Sequence, residues 1–330
     1  MRAAYITQTG PAESLVVGDL PDPEPGVGQV RVRVNTATVN PVDTFHRAGA
    51  IAAPLPFPWV PGCDLAGVVD KLGPGASKFQ VGDRVWGTNQ GVMGRQGTLA
   101  ELAVVDEHWL YPTPADVSDD AAAALSLVGI TAHLGLAQCA KPVAGETLFV
   151  NGGTGGVGSI VIQMAKIFGL RVVTTVGTDE KAELAKSLGA DVTICYKTTD
   201  VDAAIRAAAP QGVDIWWETQ LDPNFERAIP LLAERGRMIV MAGRKARPVF
   251  PSGEFYAKSC ALFGFVMYKA TPAEQAAAAA DINRWATEGR LKPLIGRTFP
   301  LDEAAAAHAL QEANTVGKAG TLSGKILVKP

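Results

Sequence analysis

The segment Thr147 to Gly158, TLFVNGGTGGVG, constrains the fold more than any other part of the chain. Its apolar residues Leu148 to Val150 form a run that is too short for a helix and rich in β-forming side chains. Gly153, Gly155 and Gly158 match the pattern G-x-G-x-x-G, and apolar residues at helical spacing follow. In a strand-turn-helix unit the first glycine allows the turn, the second lets backbone approach a pyrophosphate, and the third lets helix pack on strand. We therefore expect a dinucleotide phosphate at the N-terminus of this helix; a strand-helix joint with no ligand is the alternative.

The end of the next predicted strand, Arg171 to Val176, indicates which dinucleotide binds. An NAD site usually places an acidic residue there, where it contacts the ribose hydroxyls. Here Gly177 and Thr178 follow the strand, and Lys181 comes within one helical turn of them. A 2′-phosphate is favoured by a cation and by the lack of a carboxylate, so we expect NADP(H) as the cofactor.

Two acidic residues, Asp179 and Glu180, are the argument for NAD(H), because either one is close enough in sequence to reach a ribose diol. The alternative is that they favour the N-terminus of the predicted helix to which they belong. Past the third predicted strand, Val192 to Cys195, we expect Tyr196 and Lys197 to close the cofactor pocket from the other side.

Composition is typical of a globular protein of two domains. The chain has 330 residues, of which 47% are hydrophobic and 19% charged, and this length provides ample core for each domain. There are 30 lysine and arginine residues against 33 aspartate and glutamate residues, which gives a net charge of −3. Such a balance creates no field that would gather nucleic acid or anionic lipid, so we expect no nucleic acid and no membrane as partners.

The N-terminus and the cysteines indicate the compartment. The first residues, MRAAYITQTG, lack the apolar stretch of a signal peptide, and we find no run of roughly 18 apolar residues to span a bilayer. We therefore expect a cytoplasmic protein. Cys63, Cys139, Cys195 and Cys260 lie far apart with no C-x-x-C pair, so neither a disulfide framework nor a structural zinc site is predicted.

The order of the predicted elements indicates an α/β fold with two domains. Residues 1–122 contain short β-type runs broken by proline and glycine, which suit a compact, mainly β domain. Residues 123–266 alternate strands and helices in the six-strand pattern of a doubly wound parallel sheet. Residues 267–330, with an Ala-rich helix at Pro272 to Thr287 and a closing strand at Lys325 to Val328, exceed that pattern. We expect them to return to the first domain, leaving a cleft that binds nicotinamide and substrate.

Two helices are predicted with specific bounds in the middle of the chain. Ala121 to Cys139 indicates a helix with an internal break at Gly129. Asn224 to Ala233 indicates a second helix, followed by a strand at Met238 to Met241.

These features resemble the medium-chain dehydrogenase/reductase superfamily and, within it, the zinc-independent quinone oxidoreductases related to zeta-crystallin. The resemblance covers nearly the whole length. Residues similar to the superfamily's catalytic-domain signature are Gly62, Asp64, Gly67, Gly73 and Gly82-Asp83-Arg84-Val85. The more specific part, Gly155-Gly156-Val157-Gly158 followed by Gln163 and Lys166, resembles the quinone oxidoreductase pattern G-G-x-G-x(4)-Q-x(2)-K. The resemblance implies a Rossmann domain, a GroES-like catalytic domain, and a homodimer that pairs the edge strand near residues 261–266.

The resemblance also implies which residues bind the cofactor. Asn40-Pro41-Val42-Asp43 is similar to the family's N-P-x-D, whose asparagine lies by the nicotinamide. Lys181 and Tyr196 fall where the family has its 2′-phosphate ligands, and Thr131 falls where it has a cofactor-contacting threonine. The cofactor-binding residues that we predict are Asn40, Thr131, Gly153, Thr154, Gly155, Gly156, Val157, Gly158, Gly177, Thr178, Lys181, Tyr196, Gly243, Phe265 and Lys325.

The zinc ligands of related dehydrogenases have no counterpart here. Those enzymes hold a catalytic metal with a cysteine, a histidine and a nearby acid, and the matching positions in this chain lie around Asn40, Cys63 and Asp64. One thiol and one carboxylate do not form a tetrahedral zinc site. We therefore expect no metal, and a hydride transfer from the nicotinamide to a quinone or an activated enone.

Three residues near the N-P-x-D segment are the catalytic candidates. Asn40 is expected to hold the carboxamide or to polarise an acceptor oxygen, unless it only forms a turn before Pro41. Asp43 is expected to tie the loop rather than to abstract a proton. Phe45 is the third candidate; it and Ile51 replace two tyrosines that are common in the family's substrate loop.

The substrate-binding candidates are Phe45, His46, Ile51, Trp59, Met93 and Arg95. The four apolar residues among them either form a wall of the substrate site or belong to the core. His46 either donates a proton or is structural. Arg95 lies in the glycine-rich loop Gln90 to Gly97, which we expect to be a mobile cover, and it either recognises an anionic substituent or is solvated.

Three functions stay open on the sequence alone. The first is an NADPH-dependent quinone or enone reductase. The second is an enoyl-thioester reductase, which needs a positioned acid and a basic patch for a carrier's phosphates, and the sequence shows no such patch. The third is a dinucleotide-binding protein that serves a structural or interaction role without catalysis, for which the loss of the two tyrosines is the only argument.

Overall fold

The computed structural model describes every residue from Met1 to Pro330. The chain divides into one unit made of Met1–Ile130 and Ala270–Pro330 and a second unit made of Thr131–Lys269. The domain limits after residues 122 and 266 stay predictions.

The elements follow each other along the chain in three groups. The first group is β1 (Arg2–Tyr5), β2 (Val16–Asp19), β3 (Gln29–Val39), α1 (Pro41–Arg47), β4 (Leu65–Leu72), β5 (Arg84–Gly87), β6 (Leu102–Asp106), β7 (Leu110–Pro112) and α2 (Asp119–His133). The second is β8 (Thr147–Val150), α3 (Gly156–Ile167), β9 (Arg171–Val176), α4 (Asp179–Ser187), β10 (Val192–Cys195), α5 (Val201–Ala208), β11 (Val213–Glu218), α6 (Phe225–Ala228), β12 (Leu232–Val240), α7 (Ser252–Ala257) and β13 (Ala261–Gly264). The third is α8 (Pro272–Thr287), β14 (Ile295–Pro300), α9 (Ala304–Thr315) and β15 (Lys325–Lys329).

The unit Thr131–Lys269 is built on a six-stranded sheet in the order β10-β9-β8-β11-β12-β13. All neighbouring strands in it are parallel. The strand order reverses between β8 and β11, which is the doubly wound arrangement. Phe149, Val173, Trp216 and Met238, from four of the strands, belong to one buried cluster. The predicted doubly wound α/β domain is confirmed.

The other unit is built on a sheet in the order β14-β15-β3-β4-β5-β7, with β6 also paired to β3. Its pairs are antiparallel except β14 with β15. In the first half of β3 buried residues such as Val30, Val32 and Val34 alternate with more exposed ones, because only one face of this part of the strand packs on the core. The predicted mainly β domain is confirmed, and the closing strand β15 lies between β14 and β3.

The predicted break at Gly129 is wrong, because α2 runs through it without interruption. A Cβ added to Gly129 would lie 3.0 Å from Cδ1 of Ile282, so the glycine lets α8 pack closely on α2. The helix continues as a π-helical segment, Leu134–Ala140, and ends at Lys141, whose φ is +47°.

The predicted helix Asn224 to Ala233 is also wrong in its second half. Helix α6 ends at Ala228, a 3₁₀ turn spans Ile229–Leu231, and β12 already begins at Leu232. Pro230 lies in the 3₁₀ turn and has no N–H for a longer helix, which explains the early end.

One helical segment, Asp119–Ala140, is long and apolar enough to cross a membrane by length and composition, with a mean hydropathy of 1.5. The segment is not an uninterrupted apolar run, because it contains Ser126, Thr131, His133 and Gln138. Of the most apolar part of the segment, 78% is buried inside the protein, as in the core helix of a globular domain.

Candidate functional site

The turn between β8 and α3 is shaped by two approaches that are too close for any side chain. A Cβ added to Gly158 would lie 2.2 Å from the carbonyl oxygen of Gly152, and one added to Gly153 would lie 2.3 Å from Oγ1 of Thr174. Gly155 is different, because its added Cβ would meet only the Gly152 oxygen, at an ordinary 3.5 Å. Gly153 and Gly158 therefore shape the turn, whereas Gly155 leaves an exposed surface on it.

The residue that turns the chain is Gly152, one position before the fingerprint. Its φ is +87°, in the left-handed region that favours glycine, and Gly153 does not adopt such a backbone. Gly152 therefore supplies the left-handed bend, whereas Gly153, which the sequence pattern assigned to the turn, is required there by its close approach to Thr174. Sequence reasoning missed Gly152 because the G-x-G-x-x-G spacing fits only the later glycines.

The first turn of α3 presents backbone N–H groups that have no acceptor within the helix. The first intrahelical bond runs from the Ser159 N–H to the Gly155 oxygen, at 3.0 Å. The amides of Gly156, Val157 and Gly158 precede it, so the helix offers them no carbonyl. Together with the helix dipole they form a site for a phosphate group.

The residues predicted to bind a 2′-phosphate lie after the carboxyl ends of β9 and β10. Tyr196 lies over Gly177, since a Cβ added to this glycine would be 2.6 Å from the tyrosine Oη. The pKa of Lys181 is lowered by burial and by the charge of Lys197, so these two cations are neighbours. A bound anion would relieve both effects. Thr178 caps α4, accepting from the Lys181 N–H at 3.3 Å.

Glu180, one of the two acids that argue for NAD(H), is engaged with the helix end. A hydrogen bond from Thr178 and one from its own backbone N–H lower the pKa of its exposed carboxyl. This arrangement matches the alternative that the acid favours the N-terminus of α4.

The remaining predicted cofactor residues of this unit lie after other strands. Gly243 follows β12 with φ +88°, and an added Cβ there would lie 2.8 Å from the Leu221 oxygen. Phe265 follows β13, and its N–H donates to the Val240 oxygen at 3.4 Å. Carboxyl ends of parallel strands share one edge of a sheet, so both loops lie on the edge that carries the glycine turn. Thr131 is buried in α2.

In the other unit, Asn40, Asp64 and Lys325 form a buried hydrogen-bonded network. Asn40 donates from Nδ2 to Oδ2 of Asp64 at 2.8 Å, and its Oδ1 accepts from the Lys325 ammonium. The Lys325 Nζ also lies 3.6 Å from Oδ2 of Asp64. Thr38 donates to the same carboxylate oxygen at 2.7 Å. All four side chains are buried, and both ends of the Asn40 amide are engaged.

Asp43 and Cys63 extend this network. Asp43 lies in the first turn of helix α1 and accepts from the Asn40 backbone N–H at 2.7 Å, so it ties the loop. Burial raises the pKa of Asp43 to about 6, while a hydrogen bond from Cys63 opposes the shift. Burial raises the pKa of the Cys63 thiol and lowers the pKa of Lys325. Asp43 is thus a carboxyl that gains or loses its proton near neutral pH.

The structure has no group of three or more histidine, cysteine, aspartate or glutamate side chains that could hold a metal ion. The lysine ammonium beside Asp64 is also a poor neighbour for a cation. The sequence did not reveal this network of Lys325 with Asn40 and Asp64, because the lysine lies 285 residues after the asparagine.

The substrate-binding candidates lie in different environments. Trp59 is fully buried and belongs to the core cluster of the β domain, which matches the alternative that it is a core residue. Met93 is 59% exposed and has φ +56°. Phe45 and Ile51 are half-buried, and the buried His46 ring lies 6.4 Å from the Trp59 ring.

The Arg95 side chain is hydrogen-bonded and stacked within its own unit, so the alternative that it is merely solvated is wrong. Its Nε donates to the Asn89 oxygen at 2.7 Å, and its guanidinium stacks over Trp109, 5.8 Å from the ring centre. Burial lowers its pKa. The loop Gln90 to Gly97 is also anchored at both ends, through the Gln90 and Gly97 amides that donate to the oxygens of Cys63 and Val60.

Comparison with known proteins places both units in one family. Residues 156–283 match the family described as zinc-binding dehydrogenase, and residues 26–115 match the alcohol dehydrogenase GroES-like domain. Quinone oxidoreductase of Homo sapiens is 32% identical over 310 residues, which cover 93% of each chain.

Two solved structures are similar over the whole length. A structure titled NAD-dependent alcohol dehydrogenase has a TM-score of 0.90 and 32% identity, covering 100% of both chains. A mycobacterial protein complexed with NADPH has a TM-score of 0.88 and 29% identity, again covering 100% of both chains. The chain is an oxidoreductase that belongs to the medium-chain dehydrogenase/reductase superfamily and, within it, to the quinone oxidoreductase family.

Proposed function

We propose that this protein is an NADPH-dependent reductase that transfers a hydride to a quinone or an activated enone. The observation that carries the proposal is the pair of anion sites at the carboxyl edge of the six-stranded sheet. One is the row of amides from Gly156 to Gly158, and the other lies at Lys181 and Lys197 beside Tyr196. They follow the neighbouring strands β8 and β9, as the pyrophosphate and ribose sites of a dinucleotide do.

The same pocket supports NADP(H) over NAD(H). Strand β9 ends at Val176 and is followed by Gly177 and Thr178, without a carboxylate. The nearby Glu180 carboxylate is hydrogen-bonded at the N-terminus of α4. The two similar solved structures differ in the cofactor that their titles name, so the preference of this chain is inferred from its own residues. When bound, the nicotinamide supplies the hydride.

The network around Asn40 is proposed to prepare the acceptor side. Lys325 and Asp64 fix the Asn40 amide from both ends, and burial raises the pKa of the neighbouring Asp43 to about 6. Because Asn40 is buried and its amide is engaged at both ends, the network would hold the shape of the acceptor site rather than contact the acceptor oxygen itself. A quinone needs little more from the protein, because its reduced oxygens take protons from water.

A homodimer is proposed from the edge strand β13. The strand has a neighbour on one side only, and Leu262 and Val266 at this edge are 39% and 41% exposed. Pairing with a second β13 would cover these side chains and the free strand edge. Light scattering after gel filtration tests this: a mass near that of one chain contradicts it.

The activity is tested by NADPH consumption with 9,10-phenanthrenequinone, with trans-2-enoyl-CoA, and with heat-inactivated protein as a control. We expect turnover with the quinone. Faster turnover of the enoyl thioester would favour the second function named above. Tight NADPH binding by calorimetry without turnover of either acceptor would favour the non-catalytic role.

A further inference from the structure

A buried carboxylate, Glu218, lies at the point where the strand order of the six-stranded sheet reverses. It ends β11, the neighbour of β8, and the chain after β8 forms the glycine turn. Only 3% of the residue is exposed. In open α/β sheets the crevice between two such strands is where ligands bind.

Every contact to the Glu218 carboxylate comes from a hydrogen-bond donor. Its Oε1 accepts from Asn151 Nδ2 at 3.0 Å and from the Gln220 N–H at 2.8 Å. Its Oε2 accepts from Trp216 Nε1 at 3.2 Å and also lies 3.3 Å from Asn151 Nδ2. Burial raises the pKa of the carboxyl, and these hydrogen bonds oppose that shift. A site with donors on both oxygens is suited to the ionised form.

Asn151 links Glu218 to the glycine turn through hydrogen bonds. Its Oδ1 accepts from Oγ1 of Thr175 on β9 at 2.9 Å, and the same Oγ1 accepts from the Gly152 N–H at 2.9 Å. Its backbone N–H donates to the Trp217 oxygen at 3.0 Å. The side chain thus bridges β11 and β9 across the end of β8 and ends at the left-handed Gly152.

We infer that Glu218 is a positioning residue for the dinucleotide: through Asn151 and Thr175 it fixes Gly152, and with it the amides that bind the pyrophosphate. The inference rests on the proposed function and deepens it. Glu218 is too buried to contact a ligand, so it acts only through these partners. A turn that is preset in this way loses less conformational freedom when the cofactor binds.

The test is the substitution Glu218→Gln, which keeps the shape and removes the charge. Whichever way the new amide is turned, its NH₂ group faces a donor, either Gln220 and Asn151 or Trp216. We expect the dissociation constant for NADPH, measured by calorimetry, to rise about tenfold. The kcat at saturating NADPH should change by less than about twofold, because no reacting atom is touched.

The matched control is Glu146→Gln, at the amino ends of the strands of the same sheet. Glu146 precedes β8, and its carboxylate accepts from Arg237 at 2.9 Å and from the Val143 N–H at 2.8 Å. This variant should lower the melting temperature but leave the NADPH dissociation constant within about twofold.

A double-mutant cycle with Asn151→Ala completes the test. We expect Asn151→Ala to weaken binding as Glu218→Gln does, and the double variant to be no weaker than either, because both break one link. Asn151→Ala also serves alone if Glu218→Gln does not fold.

The positioning role and the proposed function are contradicted by different results. Unchanged NADPH affinity in Glu218→Gln or Asn151→Ala, fully additive effects, or an equal loss of affinity in Glu146→Gln would overturn the positioning role while the proposed function stands. Failure of the wild-type protein to bind NADPH would overturn the proposed function itself.

Discussion

The glycine turn of one unit and the Asn40 network of the other are built by opposite means. The turn uses backbone: Gly156 to Gly158 leave their amides without acceptors in the helix, and the side chains nearby are small or absent. The network uses side chains: Asn40, Asp64 and Lys325 are buried, and they satisfy one another. In the turn the groups offered to a ligand are backbone amides, whereas in the network each side chain depends on the others. The difference predicts where a single substitution acts on stability and where it acts on binding.

The largest expected effect is on stability, from Lys325→Met. The substitution leaves Asp64 and the Asn40 oxygen buried without their cation, which costs about 3–5 kcal/mol of unfolding free energy. Chemical denaturation measures it. Lys329→Met is the control on the same strand, because its ammonium pairs with Asp120 at the surface, where both side chains are 40% exposed. It should lose at most about 1 kcal/mol. An equal loss of unfolding free energy in the two variants would show that the buried network stabilises the fold no more than the surface ion pair does.

The next effect is a pH dependence that belongs to Asp43. Its pKa is about 6 in the folded protein and 3.8 for an ordinary aspartate, so the folded state binds more protons between these values. Its contribution is therefore full below about pH 4 and is lost as the pH rises through about 6, by roughly 3 kcal/mol in all.

Denaturation of the wild type and of Asp43→Asn across pH 4 to 7.5 isolates this contribution. The stability difference between them should shift against the wild type as the pH rises. A difference that is constant, or that shifts the other way, would mean that Asp43 is ionised throughout.

A third prediction separates shaping from binding within the turn. Gly158→Ala places a Cβ 2.2 Å from the Gly152 oxygen, so it should destabilise the free protein by about 1–3 kcal/mol and weaken NADPH binding. Gly155→Ala has room for its Cβ and φ −73°, so it should keep the melting temperature within a few degrees. It should still weaken binding, because the added methyl lies on the surface open to a ligand. Loss of stability in both variants would contradict the division of roles.

The smallest effect concerns cofactor preference. Lys181→Ala should raise the dissociation constant for NADPH about tenfold and leave that for NADH within about twofold, because only the former gains a charge-assisted contact. Lys186→Ala is the control on the same helix, since that lysine is exposed and pairs with Glu183. Similar losses for both dinucleotides in Lys181→Ala would remove the lysine from the phosphate pocket.

Much of the dinucleotide half was predictable because its signals are local. The glycine spacing, the missing acid after β9 and the strand Arg171 to Val176 are all written within short segments. The errors arose where tertiary packing overrides local preference. Gly129 stays helical because α8 needs the space, and Gly152 turns the chain although it stands outside the fingerprint.

The catalytic half was harder to predict because its contacts are long-range. Asn40 was expected to face a ligand, and its amide is engaged at both ends by residues that lie 24 and 285 positions away. Likewise, no local pattern shows that Trp59 belongs to the core or that Arg95 stacks on Trp109. Only the assembled sheet brings these side chains together.

The contact of Tyr196 with Gly177 bears on protein engineering. The cofactor preference of such an enzyme can be changed to NADH by placing an acidic residue directly after the strand that follows the glycine turn. In this chain that strand is β9, so the residue to replace is Gly177. Any side chain at this position displaces the tyrosine ring, whose hydroxyl is 2.6 Å from where the Cβ would be. Because Tyr196 is 51% exposed, it has room to swing aside. Libraries for cofactor switching should therefore vary positions 177 and 196 together, since the two are sterically coupled.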